Sequence, residues 1–199
     1  ARDAMRFVAE RRVAAAVLGP GYGNPVLARE RALGLLECAD DFRALVLDAD
    51  GITAFETEPR QLFEVKRRAA LVLTPHEGEF RRLFPDIAAS DAAKTDKARQ
   101  AAARAGAGLI YKGSDTGIAD PDGLAVINAN GTALLATAGS GDVLSGIVCG
   151  LLAQGMPPFA AACAAVWVHA DAARRFGPGL IAEDLPQTLP AVWAALSPR

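Results

Sequence analysis

One carboxylate stands among glycines where an apolar run gives way to a helical pattern: residues 136–155 read ATAGSGDVLSGIVCGLLAQG. Gly139 and Gly141 let the backbone turn tightly and approach a ligand with no Cβ in the way. The first N–H groups of the helix then point at an anion, helped by the helix dipole. Asp142, in that first turn, could simply compensate the dipole. The two glycines, and a strand expected at 133–137 (ALLAT), favour another reading. Positioned donors beside a base are what phosphoryl transfer requires, so the segment predicts a phosphate site with Asp142 as acid–base residue. Gly146 and Gly150, four residues apart, are expected to permit close helix packing.

Four further motifs end apolar runs. Gly19–Asn24 (GPGYGN) places Gly21 and Gly23 in a turn that is either ordinary or ligand-binding; it lacks the Lys of a P-loop. Asp48-Ala49-Asp50-Gly51 sets two carboxylates two apart, on one face if the strand continues. They could hold Mg²⁺ or merely form a turn. In Thr74–Glu79 (TPHEGE), Thr74 suits an N-cap, Pro75 the first helical position, and the acids the helix start. Capping leaves His76 unexplained, and its ring could donate to an amide or hydroxyl. Lys112-Gly113-Ser114-Asp115-Thr116 suits a diphosphate or a ribose, or is a polar turn. His169, inside an apolar helical stretch, reads as a satisfied structural histidine.

The elements that must carry these residues follow from periodicity. Apolar runs at 13–19, 43–48, 69–74 and 108–112 read as buried strands. Segments 25–38 (Asn24 as N-cap, Pro25 at N1), 77–84, 90–105 (Ser90 as cap), 141–154, 158–176 and 184–196 read as helices. Residues 116–119 and 124–128 flank Asp120-Pro121-Asp122-Gly123 as a hairpin. The result is an α/β domain with a mostly parallel sheet covered by helices. Ligands bind beyond the carboxyl ends of such strands, where the four motifs lie.

The bulk composition excludes some functions. A formal net charge of −2 over 199 residues argues against a broad nucleic-acid-binding surface. Cys38, Cys149 and Cys163 lack metal-ligand spacing and read as small buried side chains, which suits a reducing cytoplasm. No secretory leader is visible, and every apolar run falls short of the ~20 residues of a membrane span.

In colinear order, GPGYGN, LVLDADGI, LTPHEGEF, YKGSDTGIADPDG and ATAGSGDVLSGI resemble the ADP/ATP-dependent NAD(P)H-hydrate dehydratases of the ribokinase-like superfamily. The resemblance implies a three-layer α/β/α sandwich. It implies dehydration of the S form of NADH or NADPH hydrate, coupled to hydrolysis of ADP (or ATP), with Mg²⁺ screening the phosphates. Asp142 would take the proton of the ring hydroxyl. Gly139 and Gly141 would cradle the transferring phosphoryl group, and Lys112, Gly113, Ser114, Asp115 and Thr116 would line the nucleotide site. Gly21, Gly23 and His76 would contact the hydrated dinucleotide. A cytoplasmic homo-oligomer is implied, with an epimerase fused to it or separate.

The chain departs from the family in two places. It lacks the glycine-rich strand–helix unit that usually opens the domain, so residues 1–199 are expected to be an N-terminally shortened domain. Asn130–Leu135 also replaces a TGNPGM-like run. A ribokinase-like kinase acting on a hydroxymethylpyrimidine, thiazole or sugar alcohol would use the same Asp142. A non-catalytic nucleotide-binding module is the third reading.

Overall fold

The computed structural model describes residues 2–38 and 42–196. Its elements are α1 (Arg2–Glu10), β1 (Ala15–Leu18), α2 (Pro25–Glu37), β2 (Ala44–Leu47), α3 (Asp50–Thr53), α4 (Pro59–Phe63), β3 (Ala70–Leu73), α5 (Glu77–Leu83) and α6 (Pro85–Ala89), then α7 (Lys94–Ala105), β4 (Gly108–Tyr111), β5 (Gly117–Ala119), β6 (Ala125–Ile127), α8 (Ser140–Ala153), α9 (Pro158–Phe176) and α10 (Asp184–Leu196). The strands lie side by side in chain order. β1 to β4 pair in parallel, and β5 and β6 close the edge as the expected antiparallel hairpin. Asp120 shapes its turn, Oδ1 accepting from Asp122 N (3.0 Å) and Leu124 N (2.8 Å).

Alternation along each strand divides the core into two layers. Leu45, Leu47, Leu71, Leu73, Leu109 and Tyr111 face α2, α5 and α7. Ala44, Val46, Val72 and Ile110 face α8 and α9. Both faces are covered, so each parallel strand is a continuous apolar run. A leucine such as Leu45 contributes about 1.5–3 kcal/mol by burial. A third cluster, with Val168, Leu185 and Val192, joins α9 to α10.

Four local expectations are corrected. Segment 133–137 is not a strand: Ala133–Leu135 form a 3₁₀ turn, with Thr132 Oγ1 accepting from Leu134 N at 3.4 Å. Leu134 and Leu135 pack on the α9–α10 cluster instead of pairing with the sheet. The helix expected over 90–105 starts later than Ser90, because Ser90 ends the short helix α6 instead of capping the next one, donating from Oγ to Ile87 O at 2.8 Å. α7 then begins after Ala93. The N-cap of α5 is His76 rather than Thr74, since Thr74 is buried and donates to Leu47 O at 3.2 Å. Finally, a Cβ on Gly146 or Gly150 would meet open space, so neither serves close packing within the chain.

Candidate active site

Parallel pairing brings the carboxyl ends of β1 to β4 to one edge of the sheet, and the loops there hold one another. Gly23 N donates to Asp50 Oδ2 (2.8 Å) and Lys112 N to Pro75 O (2.8 Å). Asp48, 1% exposed, is the hub. Its Oδ1 accepts from Lys112 Nζ (2.8 Å) and from Ala49 N (2.9 Å). Its Oδ2 accepts from Ser145 Oγ (2.6 Å), and Ser145 Oγ lies 3.4 Å from Thr74 Oγ1. The ends of β2, β3 and β4 are thus tied to the second turn of α8.

α8 starts at Gly139, whose φ of 83° is left-handed and suits glycine. Ser140 N and Asp142 N close local turns onto Thr137 O and Gly139 O. The Gly139 and Gly141 amides make no hydrogen bond among the described residues. A Cβ at Gly141 would lie 3.2 Å from Lys112 Nζ. The Asp142 side chain is exposed beside them. This corner therefore presents two unengaged donors, one ammonium and one accessible carboxylate at a helix N-terminus, a setting that attracts anions.

Beside it opens a cavity of about 570 Å³ lined by Lys112, Gly113, Ser114, Thr116, Gly141 and His169, among others. That volume is in the range of small-molecule sites. Asp115 is the member of its loop that does not line the cavity. It pairs with Lys94 Nζ at 2.8 Å, and this hydrogen bond holds its carboxyl below its ordinary pKa. Thr116 Oγ1 donates to Gly113 O at 3.0 Å and folds the loop on itself. Gly21, Gly23 and His76 lie outside the cavity lining, on the β1 and β3 ends of the same edge. His76 has a structural duty there: Nδ1 accepts from Gly78 N (2.9 Å) and Glu79 N (3.4 Å), and Glu79 Oε2 accepts from His76 N (2.7 Å). This is a capping box with histidine in the serine position.

Two readings change. Asp48 and Asp50 do not share a strand face, because Ala49 turns at φ 45° and ψ −120° and Asp50 opens α3. The Asp48 carboxylate is engaged by Lys112, Ala49 and Ser145, and the Asp50 carboxylate accepts from Gly23 N. Among the described residues, no group of three or more His, Cys, Asp or Glu is arranged for a metal ion. His169 is buried, 5% exposed, but not satisfied: Nε2 has no hydrogen-bond partner among the described residues. Burial pushes its pKa down to about 4, with Lys112 adding to the fall and the Ser140 backbone opposing it. Sequence reasoning missed Ser145, although it is a polar residue one helical turn after Gly141 on an otherwise apolar face. His169 could not be found that way, because only the docking of α9 brings it to the cavity.

A parallel sheet with helices on both faces, an edge hairpin and a GSGD helix start beside a cavity of about 570 Å³ define a protein of the ribokinase-like superfamily. Within it, a profile of the NAD(P)H-hydrate dehydratase family matches residues 2–190. The chain belongs to that family. It is 46% identical over 158 residues to the bifunctional NAD(P)H-hydrate repair enzyme of Gloeobacter violaceus, an alignment covering 79% of this chain and 30% of that protein. It is 41% identical over 158 residues to the ADP-dependent (S)-NAD(P)H-hydrate dehydratase of Neisseria meningitidis serogroup B, covering 79% and 53%. The chain thus spans about a third to a half of the length of these relatives. The Bacillus subtilis ADP/ATP-dependent NAD(P)H-hydrate dehydratase, co-crystallised with ATP/Mg²⁺, superposes with a TM-score of 0.76 at 28% identity, covering 92% of this chain and 67% of that one.

Proposed function

We propose that the chain dehydrates the S form of NADH or NADPH hydrate, coupled to hydrolysis of ADP to AMP and phosphate. The observation that carries this reading is the pair of unengaged amides at Gly139 and Gly141 beside the exposed Asp142. Asp142 takes the proton of the hydroxyl on the hydrated ring, and the resulting oxygen attacks the terminal phosphorus of ADP, releasing AMP. Phosphate then leaves the ring carbon, the neighbouring carbon loses a proton, and the double bond of the reduced nicotinamide returns. Hydroxide, a poor leaving group, has been exchanged for phosphate.

The amides of Gly139 and Gly141 take up the charge that develops on the phosphoryl oxygens. Lys112, Gly113, Ser114 and Thr116 hold the nucleotide in the cavity, and Asp115 fixes their loop through Lys94. Gly21, Gly23 and the outer edge of His76 border the dinucleotide. Mg²⁺ accompanying the nucleotide would rely mainly on phosphate and water, as this ion commonly does. We place the protein in the cytoplasm, as a homo-oligomer served by a fused or separate epimerase. Among the described residues, no helix is long and apolar enough to cross a membrane.

The test follows the absorbance of reduced nicotinamide after mixing hydrated NADH with ADP. Asp142→Asn should abolish its recovery while ADP affinity stays within about tenfold, because a base acts mainly in the transition state. Retained turnover removes Asp142 from the mechanism. Absence of recovery in the unaltered protein, with phosphoryl transfer to a hydroxymethylpyrimidine or thiazole alcohol, replaces the reading with the kinase.

A further inference from the structure

We infer that Asp48 is a positioning residue that touches neither metal nor substrate and holds the Lys112 ammonium against the start of α8, where a nucleoside diphosphate is clamped. The inference rests on the proposed nucleotide site and names a part of its construction.

Asp48 sits at the end of β2 with both oxygens engaged from inside the protein. It is 1% exposed, so a ligand in the cavity cannot reach it. Lys112 does line the cavity. An ammonium has three protons, and Asp48 Oδ1 takes one of them at 2.8 Å. The other two remain for an anion, beside the unengaged amides of Gly139 and Gly141. A lysine stem is flexible and its charge can sample many positions. Anchoring one N–H to a buried carboxylate removes that freedom before the ligand arrives. Ser145 fixes the carboxylate in turn, and its Oγ also lies 3.1 Å from Gly141 O. The anchor and the amides thus share one hydrogen-bonded frame that reaches from β2 to α8.

The experiment is calorimetric titration of the 199-residue chain with ADP and, separately, with adenosine, in EDTA. Asp48→Asn should weaken ADP by about tenfold or more, the size of one charge-assisted hydrogen bond. Adenosine, which has no phosphate for Lys112, should change by less than about twofold on the same reasoning. In a Lys112→Met background the Asp48→Asn change should cost ADP nothing further, because the group it positions is gone. Ser145→Ala is the milder variant should Asp48→Asn fail to fold. It should give a smaller loss confined to ADP, and Ser145→Thr should restore it.

Equal losses for ADP and adenosine would mark a purely structural role, and additive losses in the double variant would show that Asp48 acts apart from Lys112. A loss that appears only with added Mg²⁺ would make Asp48 a metal ligand. Each of these outcomes overturns the inference. If the unaltered chain binds no ADP at all, the nucleotide site itself has failed and the inference falls with it, which separates the two failures.

Discussion

His169 enters the cavity wall from α9 with one ring nitrogen buried and, among the described residues, unpartnered. Leaving such an atom unmet costs about 1–3 kcal/mol. The ring is easiest to keep while neutral, which is why its pKa falls to about 4. An unfolded chain protonates the same ring near pH 6.5. Between those values the unfolded state binds one more proton than the folded state, so stability rises with pH across that window. The contribution is fully present above about pH 6.5 and is lost as pH falls toward 4; at most about 3 kcal/mol is at stake. Urea midpoints at pH 7 and pH 5 measure this, and His169→Gln should flatten the difference between them. An unchanged difference in that variant would assign the pH response to other groups. That Lys112 and Gly141 come to one cavity was legible in the sequence, because each has an ordinary use alone but the motifs all follow apolar runs whose carboxyl ends a parallel sheet brings to one edge. The bond from Lys112 to Asp48 was not legible. It joins residues 64 apart in the chain, and neither residue type names its partner before the strand order is known.

The elements themselves were readable where burial is two-sided. β2 and β4 are apolar throughout because helices cover both faces. α2 also starts as read, with Asn24 Oδ1 accepting from Leu27 N at 3.0 Å. Segment 133–137 misled because an apolar run carries no period of its own. Leu134 and Leu135 satisfy the α9–α10 cluster, and that cluster exists only once the C-terminal helices have docked. The start of α7 was misplaced because a serine can begin a helix or end one, and Ser90 ends α6. Gly146 and Gly150 give a direct test at this scale. Both lie inside α8, and an added methyl meets nothing. Gly146→Ala and Gly150→Ala should each raise stability by about 0.5–1 kcal/mol, seen as higher urea midpoints with unchanged slopes. A loss in either variant would mean that something not seen in the isolated chain covers this face.

Over the whole molecule, one sheet serves both helical layers, and α10 rests on α9 rather than on a core of its own. The chain should therefore unfold as one cooperative unit. Its two tryptophans, Trp167 and Trp193, lie on α9 and α10, so their fluorescence reports the C-terminal layer while far-ultraviolet circular dichroism reports every element. The two transitions in urea should coincide, and an earlier fluorescence change would divide the molecule. Charge at this scale gives the buried Asp48 a further meaning. The formal net charge is −2, and the lysine at the cavity already has its own counter-ion. Such a pair projects little field into the surrounding water, so an anionic visitor is not drawn in from a distance. It arrives by unaided diffusion and is gripped only on contact, which leaves residence time, not speed of encounter, to distinguish one nucleotide from another.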